Sequence, residues 1–265
     1  MTAARAAGAV MRQNLREEKV INEAHQFDIK LELDVRCQRL IERTLRRALP
    51  EIPVLGEEGD SGDVESRLRW VVDPIDGTVN FTYGIPHCCV SIALQVRSAE
   101  CGVRNVRKSK AWRGHPDAEY ETVVGVVYDP FCDELWTAIR GQKALLNGTA
   151  IRVTRHTRLE EAIISMGFAK NPATLRVGLP TFNRLIRRVR KMRMMGAAAL
   201  GMTYVASGRF DAYLEYGIKL WDIAAGGLIL ECAGGEFWHE PAGPGHTFQL
   251  KANNGRLRKA IERAA

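Results

Sequence analysis

The residues best suited to chemistry in this sequence are acidic side chains at the predicted ends of strands and helices. They occur in three places: Gly56-Glu57-Glu58, the run from Asp73 to Thr78, and Trp221-Asp222. A lone Glu-Glu or Trp-Asp pair is more often a helix cap or a solvated turn than a site. The middle run differs, because Asp-Pro-Ile-Asp-Gly-Thr after a buried strand has little structural reason to occur.

The middle run predicts a cation site. Asp73 ends an apolar strand that Pro74 stops, and Asp76 follows within a turn. Two carboxylates three residues apart can converge on one point, and their repulsion is costly unless a cation lies between them. Oxygen ligands without a nearby His or Cys favour Mg²⁺ or Mn²⁺ over Zn²⁺. The amides of Gly77 and Thr78 would open a helix and point its positive end at an anion such as phosphate.

The elements that must position these carboxylates follow from hydrophobic periodicity and turn signals. Helices are predicted at 4–24, 35–49, 178–191, 197–207, 221–232 and 255–264. Strands are predicted at 52–55, 69–73, 88–96, 122–128, 133–140, 162–167, 192–195, 210–214 and 235–238, with a hairpin turn at 146–148. Strands dominate the middle of the chain and α/β alternation follows, which predicts α/β layers built on more than one sheet.

These motifs resemble, in the same order along the chain, those of the inositol monophosphatase family, part of a lithium-sensitive, metal-dependent phosphatase superfamily. The segments that carry the resemblance are 28–34, 56–58, 70–81 and 214–235. The resemblance covers nearly the whole chain. It implies a single catalytic unit, 1–265, folded as a five-layer αβαβα sandwich of the sugar-phosphatase type, and usually a homodimer. Residues 1–153 would carry the metal and phosphate site, and 154–265 the last metal ligand.

The resemblance also implies a role for individual residues. The implied ligands of two or three Mg²⁺ ions, with Mn²⁺ as an alternative, are Glu57, Asp73, the backbone carbonyl of Ile75, Asp76 and Asp222. The implied phosphate-binding residues are Gly77 and Thr78. The groups implied to orient and activate the attacking water are Glu57, Thr78 and Asp34. The implied substrate contacts are Asp76, Ala197, Glu215 and Asp222.

The chain departs from the family pattern at four positions. Thr is usual in place of Leu31 and Val79, Ser or Thr is frequent in place of Ala197, and His is frequent in place of Lys219. None of these removes a metal carboxylate. Leu31 and Val79 bear on the shell that orients the ligands, whereas Ala197 and Lys219 leave the substrate open.

The expected activity is Mg²⁺-dependent hydrolysis of a small polyol or sugar phosphate monoester, similar to inositol 1-phosphate, by in-line attack of water. Histidinol phosphate, fructose 1,6-bisphosphate and a 3′-phosphonucleotide are alternative substrates. The chain has no Asp-x-Asp-x-Thr motif, no H-C-x₅-R loop and no G-x-x-x-x-G-K-[ST] loop. Their absence argues against the aspartyl-phosphate, cysteine-phosphatase and P-loop classes.

Charge leaves a second class of function open. The net charge is +7 with a pI of about 9.2, which suits anionic substrates or a basic nucleic-acid or protein-binding module that kept the fold. Aromatic residues are not interleaved with the charges, so a base-stacking platform is not indicated. No apolar run approaches the about 20 residues that cross a bilayer, and no signal peptide is recognised. A cytoplasmic location without membrane contact is therefore expected.

One basic segment, residues 97–121, is an insertion relative to the family pattern, in which the flanking strands join directly. Its basic residues are Arg97, Arg104, Arg107, Lys108, Lys110 and Arg113. The favoured interpretation is a solvated loop without a function, since loop closure costs little. The alternative is a basic arm that draws in anionic substrate or an acidic partner, with Trp112 as its anchor.

Overall fold

The computed structural model describes residues 1–24, 29–97, 110–113, 115–169 and 171–264. Its α-helices are α1 (Thr2–Asn14), α2 (Glu32–Ala48), α3 (Thr78–Thr82), α4 (Pro172–Leu185), α5 (Ala198–Ala206), α6 (Leu220–Cys232) and α7 (Arg258–Ala264). The early strands are β1 (Ile21–Ala24), β2 (Ile29–Leu31), β3 (Val54–Gly56), β4 (Leu68–Asp76), β5 (Cys89–Arg97), β6 (Tyr120–Asp129) and β7 (Glu134–Ile139). The later strands are β8 (Leu145–Leu146), β9 (Thr149–Ala150), β10 (Ile163–Phe168), β11 (Lys191–Arg193), β12 (Ala212–Lys219), β13 (Glu236–Pro241) and β14 (Thr247–Asn253).

Two large sheets form the frame. The first has seven strands in the order β3-β4-β5-β6-β7-β8-β9, and the second has five in the order β11-β10-β12-β14-β13. In the first sheet β3 and β4 are parallel and the other pairs are antiparallel. In the second sheet β10 is parallel to both β11 and β12, while β14 is antiparallel to β12 and β13. A separate hairpin is made by β1 and β2.

Helices cover and separate these sheets. Helices α1 and α2 pack on the outer face of the first sheet, α5 and α6 fill the space between the sheets, and α4 and α7 cover the outer face of the second. Helix α6 is apolar on nearly all sides because it is buried between two sheets, whereas α2 keeps a charged side toward solvent. The five-layer αβαβα sandwich is thus confirmed. The division of the chain into halves at 153 stays a prediction.

Several predicted boundaries are wrong. The first helix ends at Asn14 rather than 24, because the Lys19 ammonium donates to the carbonyls of Asn14 (2.7 Å) and Leu15 (2.9 Å) and satisfies the last turn. The helix predicted at 178–191 is α4, which begins earlier, at Pro172, and ends at Leu185. It begins there because the side chain of Asn171 accepts a hydrogen bond from the Thr174 amide at 3.0 Å and caps the helix. Strand β14 was not predicted.

The interpretation of residues 97–121 as a solvated loop is wrong for the part that the structure describes. Trp112 and Asp117 are only 7% and 3% exposed. The Asp117 carboxylate pairs with the guanidinium of Arg69, 2.5 Å away, and Arg69 itself is wholly buried. Residues 98–109 and 114, with most of the basic arm, lie outside the described residues. Among those described, no helix combines the length and apolarity that a membrane crossing needs.

Candidate active site

Strand β4 and helix α6 bring three carboxylates together. Asp73 and Asp76 are three residues apart, so in a regular strand they would point to opposite faces. Asp73 pairs with Ser91 but Asp76 pairs with Cys89, so three steps on β4 match two on β5. This bulge, which takes the strand through Pro74 instead of ending it, turns both side chains to one side. Asp222 comes from the first turn of α6, and the carboxylate oxygens of the three aspartates lie within 4.8 Å of one another.

The carboxylates line a cavity of about 170 Å³. Its lining residues are Glu57, Asp73, Ile75, Asp76, Gly77, Thr78, Val79, Gly196 and Asp222. The sequence-predicted metal and phosphate ligands therefore share one cavity. Val79 was noted only as a departure from the family pattern, and Gly196 was missed, although its place beside Ala197 was a signal. Asp34, Ala197 and Glu215 do not line it.

Glu57 reaches the cavity because β3 runs parallel to β4. It follows the last residue of β3, and its amide donates to the carbonyl of Val72 at 3.1 Å. Burial raises the pKa of Glu57 well above its usual value, and the negative charge of Asp222 raises it further. The Glu57 carboxyl is also close enough to Asp73 to bond with it when one of the two holds a proton.

Asp73 is the least satisfied of these carboxylates. Its Oδ1 accepts the Ile75 amide at 3.0 Å, but its buried Oδ2 receives no hydrogen bond from a donor in the described residues. Burial raises the pKa of Asp73 well above its usual value, followed by the charges of Glu57 and Asp76. The described side chains whose charges act on Asp73 are all acidic, and a carboxylate oxygen buried among them must hold a proton or meet a cation.

Asp76 has a structural role as well. Its Oδ1 accepts the amide of Ala198 at 3.0 Å and its Oδ2 the amide of Ala199 at 2.7 Å, so it caps the start of α5. The thiol of Cys89 lies 3.5 Å from the same Oδ2. Burial, and then the charge of Asp222, raise the pKa of Asp76 to about 7 despite these donors.

The start of α6 is fixed on both sides of Asp222. The Lys219 amide donates to Asp222 Oδ2 at 2.9 Å, and Ser91 Oγ donates to the carbonyl of Trp221 at 3.0 Å. These contacts tie the helix to β5 and set the position of the carboxylate. The ammonium of Lys219 donates to Thr247 Oγ1 at 2.8 Å, which holds it on β14.

Thr78 lies between two acceptors. Its hydroxyl donates to the carbonyl of Ile75 at 2.9 Å, and it is 3.5 Å from Oδ1 of the buried Asp34. Asp34 Oδ2 accepts the amide of Leu31 at 2.9 Å, so this carboxylate is held in place. Gly77 begins α3 with a φ of 93°, and a Cβ there would lie 3.0 Å from the carbonyl oxygen of His87. Only glycine fits this turn.

The two expected substrate contacts outside the cavity wall differ from each other. Glu215 is half-buried and packs against Gly167, where an added Cβ would lie 2.4 Å from the Glu215 carboxyl carbon. Its carboxylate accepts a hydrogen bond from the Tyr213 hydroxyl, and burial, partly offset by this bond, raises the pKa of Glu215 to about 8. Ala197 is buried, and its neighbour Gly196 forms the cavity wall instead.

Known proteins resemble this chain in both sequence and structure. The sequence profile of the inositol monophosphatase family matches residues 1–101 and 118–257. The chain belongs to the inositol monophosphatase family. It is 37% identical over 242 residues to inositol monophosphatase 2 of Solanum lycopersicum, covering 88% of this chain and 83% of that protein. It is 36% identical over 236 residues to the Nus factor SuhB of Xylella fastidiosa, covering 88% and 78%.

Solved structures agree with this assignment. The extragenic suppressor protein suhB from Bartonella henselae superposes with a TM-score of 0.83 at 31% identity, covering 99% of this chain and 95% of that one. Members of the inositol monophosphatase family generally use metal ions. This chain is a phosphoric monoester hydrolase of that family. The unmatched residues 102–117 fall inside the basic insertion.

Proposed function

We propose that this phosphatase depends on Mg²⁺ and hydrolyses a small polyol or sugar phosphate monoester. The observation that carries the proposal is the convergence of three aspartates within 4.8 Å, with the buried Asp73 Oδ2 unsatisfied by any donor in the described residues. The donor set fits a hard cation, because the described lining residues supply carboxylate, hydroxyl and carbonyl oxygens and include neither His nor Cys.

The proposed ligands share one cavity. They are Glu57, Asp73, the carbonyl of Ile75, Asp76 and Asp222, holding two or three Mg²⁺ ions or, alternatively, Mn²⁺. When bound, such ions supply the positive charge that offsets the carboxylates and the phosphate and lowers the pKa of water. The raised pKa values of Glu57 and Asp73 mark the charge that the fold leaves uncompensated without them.

The protein's own groups then orient the reactants. Rotation of the Thr78 hydroxyl from Ile75 toward Asp34 would free the Ile75 carbonyl for a cation and leave Thr78 Oγ1 to accept a hydrogen bond from water. Glu57 would accept the one proton that this water gives up as it attacks phosphorus. The amides of Gly77 and Thr78, which line the cavity, would bind the phosphate oxygens.

Substrate choice is assigned to the rim. Glu215 stands close enough to Asp76 and Asp222 for their charges to raise its pKa. We assign Glu215 to the substrate's hydroxyl groups, together with Asp76 and Asp222. Such a cluster of acidic groups suits a hydroxyl-rich or cationic leaving group better than a second phosphate. We also keep the backbone at Ala197 as a proposed contact, since Gly196 beside it lines the cavity.

A substrate panel tests this proposal. Phosphate release with Mg²⁺ is measured from inositol 1-phosphate, histidinol phosphate, fructose 1,6-bisphosphate, a 3′-phosphonucleotide and an aryl phosphate. We expect inositol 1-phosphate or a similar polyol phosphate to have the highest kcat/KM, with loss of activity in EDTA and inhibition by Li⁺. Activity without any divalent cation, or a clear preference for the bisphosphate, would refute it.

A second candidate function rests on the surface of α2. Arg39, Arg43, Arg46 and Arg47 line a shallow exposed depression there in which Glu42 is the acidic lining residue. Some relatives carry the name Nus factor SuhB, so we propose RNA or an acidic protein as an additional partner at this surface. Retention of RNA that falls steeply with salt, and is lost when Arg43 and Arg47 become Ala, would support it.

A further inference from the structure

Helix α2 meets the turn that carries Glu57 through a buried glutamine. Gln38 is 4% exposed, although the helix around it is rich in charged residues. Its side-chain amide reaches the turn that follows β3, where it bonds to the backbone of the residues after Glu57. Gln38 is not one of the described residues that line the carboxylate cavity. Any effect that it has on the chemistry must therefore pass through this turn.

The turn after β3 has Glu57 at its first central position. The amide of Gly59 donates to the carbonyl of Gly56 at 3.3 Å, which closes a four-residue turn with Glu57 and Glu58 in its middle. The turn is also tied to the first sheet, because the Glu57 amide donates to the carbonyl of Val72 at 3.1 Å. These two bonds use neither the amide of Glu58 nor the carbonyl of Gly59.

The Gln38 amide binds both of these backbone groups. Its Oε1 accepts the Glu58 amide at 2.9 Å, and its Nε2 donates to the Gly59 carbonyl at 2.8 Å. Nε2 also donates to Oε1 of Glu42 at 3.1 Å. The orientation of the amide is thus fixed, since exchanging its oxygen and nitrogen would place acceptor against acceptor. A Cβ on Gly56 would lie 2.4 Å from Gln38 Oε1, so this close approach requires glycine.

The same helix holds the other group that we propose to orient water. Asp34 precedes Gln38 by four residues, so the two side chains lie on one side of α2. Oδ1 of Asp34 is 3.5 Å from the Thr78 hydroxyl. Helix α2 therefore contacts both Thr78 and the turn of Glu57. Because it packs on the first sheet through buried residues such as Ile41, it can hold these two groups at a fixed separation.

We propose that Gln38 is a positioning residue for the hydrolysis, which fixes the Glu57 turn relative to Thr78. This role rests on the proposed function, in which Glu57 and Thr78 act on the same water. A side-chain amide suits the task, because it pairs with a backbone amide and a backbone carbonyl at once and brings no charge to an acidic site. A misplacement of about 1 Å can cost about a hundredfold in rate. Gln38 therefore contributes to kcat without touching the substrate.

Gln38→Met tests this role, because it nearly keeps the shape of the side chain and removes its hydrogen bonds. On inositol 1-phosphate at saturating Mg²⁺, kcat per folded molecule should fall at least about tenfold. KM should hold, since Gly77 and Thr78 can still bind the phosphate. The Mg²⁺ concentration for half-maximal activity should rise, because Glu57 is a proposed ligand. Hydrogen exchange of the Glu58 amide, measured by NMR in EDTA, should become at least about tenfold faster, and this readout needs neither metal nor turnover.

Gln95→Met is the matched control. Gln95 is also 4% exposed and also uses both ends of its amide, accepting from Arg69 Nε at 2.9 Å and donating to Thr122 Oγ1 at 3.3 Å. Its replacement should lower the stability of the protein but leave kcat per folded molecule and the Mg²⁺ requirement unchanged. If Gln38→Met does not fold, Gln38→Asn takes its place, because its amide is one methylene too short to reach the turn, and the same losses are expected.

The outcomes separate this role from the proposed function. Wild-type protein that is equally active in EDTA would refute the metal-dependent function and this role with it. Wild-type protein that behaves as proposed, with equal kcat and equal Mg²⁺ requirement in the Gln38 and Gln95 variants, would overturn the positioning role alone. Faster exchange of the Glu58 amide without a loss of kcat would also overturn it, since the hydrogen bonds of Gln38 would then be structural only.

Discussion

The protein buries an aspartate in each of two regions, and the pKa of that aspartate is raised in one region and lowered in the other. Asp76 is 6% exposed, and burial followed by the charge of Asp222 raises its pKa to about 7. Asp117 is 3% exposed, and burial raises its pKa as well, but the hydrogen bond from His246 and the charge of Arg69 outweigh this and lower it. The difference lies in the neighbours, which are acidic around Asp76 and basic around Asp117.

This difference separates a site from a structural brace. The charge of Asp117 is compensated, since Arg69 is 2.5 Å and His246 Nδ1 is 2.8 Å from its carboxylate oxygens. The carboxylate cavity has no basic side chain among its described lining residues. A fold retains such uncompensated charge only where it is used, because it costs stability otherwise.

The largest effect on stability should come from Asp117→Asn. The change leaves Arg69 wholly buried without a counter-charge, which costs about 3–5 kcal/mol of unfolding free energy. Chemical denaturation at fixed pH measures it. Since Asp117 lies outside the carboxylate cavity, kcat per folded molecule should stay near the wild-type value.

Asp133→Asn is the matched control for that change. Asp133 pairs with Arg5 at 2.9 Å, but the two side chains are 66% and 48% exposed. Its loss should cost far less than the loss of the buried Asp117 pair, because solvent screens an exposed ion pair. Equal costs at positions 117 and 133 would show that the insertion is not anchored in the core.

The next effect is on catalysis. Asp73→Asn should lower kcat at least about a hundredfold, because it removes a negative charge that the proposed cations need. Its Oδ1 can still accept the Ile75 amide, and its new amide replaces the unsatisfied Oδ2. Stability in EDTA should therefore stay equal or rise, as thermal unfolding would show.

Asp76→Asn serves as the comparison for Asp73→Asn. Both oxygens of Asp76 accept amides, from Ala198 and Ala199, so the new NH₂ would face a donor and loosen the start of α5. Both activity and stability should fall. If Asp73→Asn destabilises the protein as much, the unsatisfied oxygen has a partner and the metal assignment fails.

The pH dependence of stability should follow the uncompensated charge. Asp76 titrates near 7 when folded and near 4 when unfolded, so between these values only the folded state holds the proton. The unfolding free energy in EDTA should therefore fall as pH rises from about 5 to 8. Saturating Mg²⁺ should remove most of that fall. A melting temperature in EDTA that is flat or rises over this range would contradict the raised pKa.

The sequence predicted the layers and the carboxylate residues well, but it did not predict the local backbone geometry that brings the carboxylates together. The motif around Asp73 identified the ligands, but Pro74 suggested a strand end where the structure has a bulge through which β4 continues. Periodicity cannot show a bulge, because it depends on the pairing partner. Helix α4 was placed too late although Asn171-Pro172 is a local start signal.

The insertion was misjudged for a different reason. The sequence favours a loop there because the segment is inserted between strands that join directly in the family pattern, and loop closure costs little. What buries Trp112 and Asp117 is the distant Arg69, together with His246 and Phe248. Long-range contacts of this kind have no signal in a single sequence. The same holds for Gly196, whose place in the cavity depends on how α5 docks against Asp76.

The smallest effect should come from Glu215→Gln, close enough to the carboxylate cavity for the charges of Asp222 and Asp76 to raise its pKa. If Glu215 binds a substrate hydroxyl, KM for a polyol phosphate should rise a few-fold while kcat and the hydrolysis of an aryl phosphate hold, since such a contact adds binding energy to ground and transition states alike. Tyr213→Phe is the comparison, because it removes the donor that orients Glu215, and lowers its pKa, but keeps the carboxyl group itself. It should also raise KM for the polyol phosphate, but by less than Glu215→Gln does. Equal losses of kcat on both substrates would instead indicate that Glu215 acts together with the metal ligands and does not determine substrate choice.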